Sequence, residues 1–406
     1  MIKSLDECCG CSACASICPK KCIKFSLDEE GFLFPSIDKN KCINCGQCER
    51  VCPLNQEKII SKPTVYGAFS RNNQIRYQSS SGGVFSELAL EVFRKDGYVS
   101  GVEFNCQKKS AKHILINKVD ELYKLRGSKY IQSDINGIFE KIKELLLVNK
   151  TVMFTGTPCQ IAGLKSFLKT DYENLFCIEV ICHGVPSTGL WEKYVDYVES
   201  KYNKTLENVY FRSKKYSWSN FGINKIHTDS TQKFQLSFEN PYFRMFNSNL
   251  CLRKSCYDCK FKGLNTKADI SLGDFWNIEK INSRLDDGKG ISLVLINTEK
   301  GKQLFNSISD KVNICISDVD YTTACDLNNA IFKSMIINKN REQFFLDMKT
   351  MEFDDLSKKY FPLSYKHKIK GILIRVGLYD ILNKNKGGGK NMNYGILIKL
   401  EDRRLV

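Results

Sequence analysis

The sequence has no hydrophobic run long enough to cross a membrane. Its longest apolar stretches, such as residues 291–296, fall far short of the roughly 20 residues that a transmembrane helix needs. Residues 1–7, MIKSLDE, also lack the apolar core of a signal peptide. We therefore expect a protein that neither spans a membrane nor is secreted, and that works in the reducing cytoplasm.

The chain also has no zinc-finger, helix-turn-helix or RNA-binding signature. Its 61 Lys and Arg residues outnumber its 45 Asp and Glu residues, which gives a formal net charge of +16. Such a balance can favour nucleic acid, an anionic membrane or an acidic cofactor. Because no recognition motif accompanies the charge, we expect no nucleic-acid partner. A length of 406 residues, 42% of them hydrophobic, predicts two to four domains with packed cores.

Cysteine, by contrast, is abundant. The chain has 19 cysteines, and ten of them fall within residues 8–52. In a secreted protein this density would indicate disulfides, but cytosolic thiols stay reduced. The cysteines are therefore predicted to be metal ligands.

The cysteine-rich segment contains two copies of one motif, C-x2-C-x2-C-x3-C-P. This spacing is that of ferredoxins with two [4Fe–4S] clusters, in which the fourth cysteine of each copy ligates the other cluster. Zinc sites use paired CxxC units with a longer gap. The predicted ligands are Cys8, Cys11, Cys14 and Cys52 for the first cluster, and Cys42, Cys45, Cys48 and Cys18 for the second. Cys9 and Cys22 fall outside the motif and are expected to be spectators.

Beyond residue 63, segments with strand and helix patterns alternate. The predicted strands are 65–70, 98–104, 113–119, 151–155, 175–182, 291–296 and 312–316, with short strands in 209–238; the predicted helices are 84–93, 138–148, 158–169 and 186–200. This order favours an α/β architecture with a partly parallel sheet, in which ligands lie at the carboxyl ends of strands. From about residue 323 the chain is predicted to be mostly helical.

A third metal site is predicted from cysteines outside the ferredoxin motif. Cys256 and Cys259 form a single CxxC unit, which supplies half of a four-thiolate site. Cys159 and Cys182 follow two predicted strands and face the same edge of the sheet. Together the four cysteines would hold a third [4Fe–4S] cluster or a structural zinc ion. Cys251 is an alternative ligand.

Two loops carry further candidate residues. Ser80, Ser81, Gly82 and Gly83 open the predicted helix at 84–93, where a serine is expected to cap the helix. Free N–H groups at a helix start suit a phosphate, although such a loop can also be a cap alone. His183 lies in a constrained loop, where it either donates a proton to a substrate or only hydrogen-bonds the loop.

Taken together, the later motifs resemble those of the β subunits of coenzyme F420 hydrogenases and dehydrogenases, which form one family. In order along the chain they are SSGGVF at 80–85, GSKY at 127–130, GTPCQ at 156–160, CHGVPS at 182–187, the CxxC at 256–259 and ADI at 268–270. The resemblance covers roughly residues 1–320 and is closest to members that carry their own ferredoxin domain.

The resemblance implies bound FAD and a [4Fe–4S] cluster close to it in the core. An FAD pyrophosphate needs N–H donors and positive charge. Ser80–Gly83, together with Thr155, Gly156 and Thr157, would supply the N–H donors, and Lys129 with Arg126 would supply the positive charge. We expect an iron–sulfur flavoprotein oxidoreductase that exchanges electrons with a ferredoxin or a catalytic subunit. Its small-molecule substrate would be F420-like or another compound, including one of cell-surface polysaccharide metabolism. The alternative is a non-catalytic electron-transfer subunit of a larger complex.

The expected organisation has four parts. A ferredoxin-like 2[4Fe–4S] domain spans 1–58, and a mixed-sheet α/β flavin-binding core spans 63–148 and 149–325. A helical basic tail spans 326–406. Residues 365–406 hold ten Lys or Arg and three Asp or Glu. A predicted amphipathic helix at 366–382 either packs on the core or contacts an anionic membrane peripherally, and a flexible break follows at 387–389.

Overall fold

The computed structural model describes residues 6–57, 60, 62–317 and 319–379. The chain divides into two compact units, residues 1–362 and residues 363–406. Within the described ranges, no helix has both the length and the apolar character that crossing a membrane requires.

The cysteine-rich segment folds as two short helices and a hairpin. Strands β1 (Ile23–Leu27) and β2 (Leu33–Ile37) pair antiparallel, and helices α1 (Ala13–Ser16) and α2 (Gln47–Arg50) flank them. The two cysteine motifs have the same backbone conformation around their second cysteine, because the residue on each side of that cysteine is left-handed in both copies. These residues are Gly10 and Ser12 in the first copy, and Asn44 and Gly46 in the second.

The core is built on one mixed sheet of nine strands, in the order β14-β3-β13-β12-β8-β7-β4-β5-β6. The strands are β3 (Thr64–Ser70), β4 (Tyr98–Asn105), β5 (Ser110–Ile116), β6 (Ser133–Asp134), β7 (Val152–Gly156), β8 (Leu175–Val180), β12 (Ile270–Asp274), β13 (Ser292–Ile296) and β14 (Val312–Ser317). The central strands β12, β8, β7 and β4 run parallel, and the outer pairs β4–β5, β12–β13, β13–β3 and β3–β14 run antiparallel. The predicted mixed sheet is confirmed.

Helices cover both faces of this sheet. The helices of this unit beyond the cysteine-rich segment are α3 (Asn73–Gln78), α4 (Val84–Arg94), α5 (Ile138–Leu147), α6 (Pro158–Leu168), α7 (Thr188–Tyr202), α8 (Pro241–Asn247), α9 (Glu299–Asn306), α10 (Tyr321–Leu327), α11 (Arg341–Thr350) and α12 (Phe353–Tyr360). The apolar side of α4 packs on one sheet face, and α5 and α6 pack on the other. Burial of these stripes is the main favourable contribution to the fold.

A smaller antiparallel sheet lies outside the large one. It consists of β9 (Leu206–Ser213), β10 (Gly222–His227) and β11 (Gln232–Leu236). With α7, α8 and α11 it encloses an aromatic core that includes Trp191, Tyr242 and Phe344. Of the aromatic residues on and between these strands, Phe211 is buried in this core and Phe221 packs against it, whereas Tyr210 is exposed.

Two local predictions need correction. No serine side chain caps α4; the capping position is Gly83, whose backbone is left-handed with φ 93°. A left-handed conformation favours glycine because it has no Cβ. The strand predicted at 113–119 lies at Ser110–Ile116, because residues 119–124 wind into a 3-10 helix instead.

The second unit contains helix α13 (Tyr365–Arg375), which begins at Ser364, whose side chain accepts a hydrogen bond from the His367 N–H. This helix overlaps the predicted amphipathic segment at 366–382. Its contact with a membrane stays a prediction. The predicted break at 387–389 and the remainder of the basic tail lie outside the described residues.

Candidate iron–sulfur and flavin sites

The predicted ligands of the first cluster line one cleft. Cys8, Cys11, Cys14 and Cys52 all face it, together with Cys9 and Cys48. Burial, and next the thiols of Cys8 and Cys52, raise the pKa of Cys14 to about 12. Thiols gathered in this way repel one another as thiolates, and bound iron supplies the compensating positive charge. The arrangement therefore fits a metal cluster.

The second group of thiols surrounds the end of α1. Cys18 packs with Cys42 and Cys48, and Cys45 is exposed. Cys22 belongs to this group although it lies outside the motif, since its sulfur lies 3.3 Å from that of Cys18. The hydrogen bond to Cys18 raises the pKa of Cys22 to about 11. Sequence spacing gave no sign of this contact.

The third group is assembled where the chain leaves two neighbouring parallel strands. Cys159 follows β7 in the first turn of α6, and Cys182 follows β8. Cys256 and Cys259 come from a loop that precedes β12. The thiols of Cys159, Cys256 and Cys259 all act electrostatically on Cys182, so the four predicted side chains are neighbours.

Main-chain pairing holds two of these loops together. Pro186 forms an antiparallel bridge with Leu252, and the Val185 N–H donates to the Cys256 sulfur at 3.4 Å. Burial raises the pKa of Cys256 to about 12, and burial raises that of Cys259 to about 11. Cys251, the alternative ligand, lies instead in the aromatic core. The described residues contain no set of three or more His, Cys, Asp or Glu side chains arranged around a single metal ion.

Helix α6 joins the third group to the first. Cys9 packs against the hydrophobic cluster that contains Cys11, and the thiols of Cys11 and Cys159 both shift the pKa of Cys9. One turn further along the helix, Gly163 lies against Cys11, since a Cβ at Gly163 would stand 3.0 Å from the Cys11 sulfur. One helical turn rises about 5.4 Å. The first and third groups of thiols are therefore adjacent, and Cys9 lies between them.

The serine–glycine loop lies at the same sheet edge. The Gly82 N–H donates to the Ser292 hydroxyl at the start of β13, and the Ser81 hydroxyl donates to Ile291. Ser80 accepts a hydrogen bond from the Ser128 N–H at 2.8 Å. The loop is thus fixed by its own contacts, and the SSGG and GSKY motifs meet through Ser80 and Ser128.

Several predicted flavin-binding groups already have protein partners. The Lys129 ammonium donates to two main-chain carbonyls, those of Lys124 and Arg126, and burial lowers its pKa to about 7. The Thr157 N–H donates to Gln160 in a capping box at the start of α6. The Thr155 hydroxyl, which directly precedes Gly156, is buried and has no partner. Of these groups, the Thr155 hydroxyl is the one that could meet a ligand without losing an existing bond.

Sequence reasoning missed a buried charged cluster beside the loop. Arg212 pairs with Asp274 at 2.8 Å, and the same carboxylate accepts from Trp218. Lys214 donates to the carbonyls of Arg76, Ser81 and Lys289, and burial lowers its pKa to about 7. The stacked rings of Trp218 and Trp276 lie 4.6 Å apart. Because these residues come from separate segments, no local pattern joins them.

His183 stands between the third group and an aromatic surface. Its Nε2 lies 2.7 Å from the Asn249 amide oxygen, and its ring packs on Phe246, which contacts Tyr130. The Asn249 amide nitrogen donates to Ile336, so its oxygen accepts from His183 and leaves Nδ1 with a lone pair. Burial lowers the pKa of His183, which favours the neutral ring.

Comparisons with known proteins identify three matching segments. Residues 34–68 match a 4Fe–4S binding domain, and residues 65–140 match the N-terminal domain of the coenzyme F420 hydrogenase/dehydrogenase β subunit. Residues 149–322 match the C-terminal domain of the same subunit. The two β-subunit domains thus follow one another in the order that the family has.

Curated proteins and a solved structure are also similar to this chain. One subunit of the F(420)H(2) dehydrogenase of Methanosarcina mazei is 22% identical over 76% of this chain and 84% of its own length. The coenzyme F420-dependent sulfite reductase of Methanocaldococcus jannaschii is 24% identical over 77% of this chain and 48% of its own length. A chain of the F420-reducing [NiFe] hydrogenase complex from Methanosarcina barkeri aligns with a TM-score of 0.42 at 14% identity, over 74% of this chain and 91% of that one. The chain belongs to the family of β subunits of coenzyme F420 hydrogenases and dehydrogenases, with a ferredoxin-type iron–sulfur segment at its N-terminal end.

Proposed function

We propose that this protein is an iron–sulfur flavoprotein oxidoreductase. It exchanges single electrons with a ferredoxin-type partner and transfers a hydride to or from a small molecule, F420-like or another compound. Each hydride corresponds to two electrons and one proton, so two single-electron exchanges balance one turnover. Bound FAD supplies the conversion between two-electron and one-electron chemistry.

The observation that carries this proposal is the contact between the first and third groups of thiols. An isolated ferredoxin segment stores electrons but has no route into the core. Here Gly163 of α6 lies against the Cys11 sulfur, one helical turn beyond Cys159, and Cys159 lies with Cys182, Cys256 and Cys259 at the edge where the SSGG loop sits. Three [4Fe–4S] clusters in these groups would form a chain that leads from the surface segment to the core.

The chain's own residues would have separate tasks at the flavin. Ser80–Gly83 at the start of α4 and the Thr155 hydroxyl would hold FAD, with Lys129 and Arg126 close behind the loop. Neutral His183 would accept or return a proton through Nδ1 when hydride moves. Phe246 packs on the His183 ring and meets Tyr130 edge to face at 5.1 Å, so an aromatic surface lies beside this histidine.

Metal and flavin analysis of anaerobically purified protein tests this proposal. About 12 iron atoms, 12 sulfides and one FAD per chain are expected, because each [4Fe–4S] cluster holds four irons. The double variant Cys256→Ser/Cys259→Ser should retain about eight irons, and the control Cys251→Ser should retain all 12. Eight irons in the wild-type protein would refute the third cluster, one zinc ion in place of the missing irons would identify a structural zinc site, and absent flavin would refute the flavoprotein.

The naming of one relative as a dehydrogenase subunit favours a second candidate function. In that case the chain passes electrons to a separate catalytic subunit and has no substrate of its own. The two functions differ in a single measurement, the bleaching of bound FAD by a reduced deazaflavin in the isolated protein. Bleaching without a partner supports the oxidoreductase, and its absence in protein with full FAD content supports the electron-transfer subunit.

A further inference from the structure

Four arginine side chains are buried in the described part of the chain, and one of them differs from the others. Three face a carboxylate, in the pairs Arg76–Asp287, Arg212–Asp274 and Arg341–Glu30. Arg253 is only 1% exposed, and no ion pair among the described residues includes it. An uncompensated charge inside a protein is costly, by about 3–5 kcal/mol when one partner of a buried pair is removed. The position of Arg253 therefore needs an explanation.

The hydrogen bonds of Arg253 do not supply the missing negative charge. Its Nε donates to the Cys8 carbonyl at 2.7 Å, and its Nη1 donates to the Leu33 carbonyl at 3.0 Å and to Gln132 at 3.4 Å. These acceptors are all neutral. The remaining nitrogen, Nη2, is buried and has no partner in the structure. The face of the guanidinium lies over the Phe34 ring at 3.9 Å, as other buried arginines lie over Phe69 and Phe221, so it is the Nη2 edge that is left to interact with another group.

The main chain places this guanidinium between the first and third groups of thiols. The Arg253 N–H donates to Val185 in the Cys182 loop, and its carbonyl accepts from the Cys256 N–H at 2.9 Å. Its side chain then reaches Cys8 of the first group. The positive charge also favours the thiolate forms of Cys159 and Cys256, which places it within electrostatic reach of the third group.

We propose that Arg253 is the shared counter-ion of the first and third clusters and raises the reduction potential of the third. This inference rests on the proposed third cluster. Four thiolates leave a [4Fe–4S] cluster with a net negative charge, and reduction adds one electron without releasing a ligand. A buried cation therefore stabilises the reduced form more than the oxidised form. Arg253 acts through the clusters and makes the third cluster easier to reduce.

Redox titration of the iron-loaded protein with dithionite, followed by electron paramagnetic resonance, tests the proposal. At a fixed potential, Arg253→Met should lower the ratio of reduced to oxidised third cluster by at least tenfold, which is about 59 mV for one electron. Arg253→Lys should stay within threefold of the wild type, because it keeps the charge. The second cluster, whose ligands do not contact Arg253, should keep its potential in both variants.

Arg341→Met is the matched control. Arg341 is equally buried and also joins the ferredoxin segment to the core, but Glu30 already neutralises its charge. Loss of packing alone would therefore affect both methionine variants alike. An unchanged ratio in Arg253→Met overturns the proposal, as does an equal loss in Arg253→Met and Arg341→Met, or in Arg253→Met and Arg253→Lys.

A second measurement uses the wild-type protein in case Arg253→Met fails to assemble. With arginine labelled by 15N in the guanidinium, pulsed paramagnetic resonance of the reduced third cluster should show a weakly coupled 15N nucleus. The coupling should disappear in labelled Arg253→Lys. A third cluster without that coupling overturns the role of Arg253 and leaves the proposed function intact, whereas a wild-type protein with only eight irons overturns the proposed function itself.

Discussion

The substitution Gly163→Ala tests the contact between the ferredoxin segment and α6. The added methyl would stand 2.8 Å from the Cβ and 3.0 Å from the sulfur of Cys11. The Cys11 Cβ is fixed to the main chain and the side chain is buried, so the contact is not relieved by rotation of a flexible group. The first helix and its cluster ligand must move instead.

The expected net effect is a difference between two contributions. Replacing a helical glycine by alanine gains about 1 kcal/mol of helix propensity. Overpacking a filled site costs about 1–3 kcal/mol, so Gly163→Ala should lose about 0–2 kcal/mol. Gly189→Ala is the matched control, because Gly189 is also helical and faces the ferredoxin segment at Gly31. Its added methyl would stand 3.2 Å from the Gly31 Cα, a contact that a shift of a few tenths of an ångström relieves, so we expect a smaller loss of stability than in Gly163→Ala.

Anaerobic thermal denaturation at one scan rate compares the two variants in the iron-loaded form. The midpoint of Gly163→Ala should fall by a few degrees, and its first-cluster resonance should change shape because Cys11 is displaced. Reduction of the third cluster by electrons that enter through the ferredoxin segment should slow at the same time. A Gly163→Ala protein with wild-type midpoint and resonance, or one that matches Gly189→Ala, would refute the packing described for α6.

Three further predictions concern the core. Asp274→Asn should cost about 3 kcal/mol and lower the thermal midpoint, because it leaves buried Arg212 without its counter-charge; an unchanged midpoint would contradict the pair's role. Burial lowers the pKa of His113 from 6.5 to about 4, so between these pH values only the unfolded chain gains a proton. The free energy of unfolding therefore decreases by about 1.4 kcal/mol for each unit by which the pH is lowered in this range. His113→Gln should flatten the midpoint-against-pH curve between pH 6.5 and 5, and equal slopes would exclude His113 as the source. Ser80→Asp should reduce bound FAD through repulsion of phosphate whereas the neutral, similarly sized Ser80→Asn should retain it, and full occupancy in Ser80→Asp would remove the loop from the flavin site.

Predictions from sequence succeeded where the information was local. The strand at 152–156 and the helices α4, α5 and α6 were found within one or two residues, because apolar period and breaker residues act over a single element. The helix cap at Gly83 was missed because the loop contains both serines and glycines. Its composition therefore does not tell a serine side-chain cap from a left-handed glycine. The ligand assignments and the four domain boundaries stay predictions.

For the cysteines, too, local spacing was predictable from the sequence and long-range contacts were not. The doubled motif predicts eight ligand cysteines from spacing alone, and the family's motifs follow in order along the chain. Cys9 and Cys22 gave no such signal, because the electrostatic effect of Cys9 on Cys159 and the contact of Cys22 with Cys18 depend on how the helices pack. The Arg212–Asp274 pair is likewise formed by residues 62 positions apart.

The sequence by itself determined the iron–sulfur chemistry, the family and the alternating α/β pattern, since each of these is written in residue types at short spacing. Only the tertiary structure decided which groups meet. Parallel strands β7 and β8 bring Cys159 and Cys182 to one edge, and Gly163 lets the ferredoxin segment approach α6. Arg253 illustrates the reason: whether a buried charge has a counter-ion depends on every element packed around it, and that environment exists only in the folded chain.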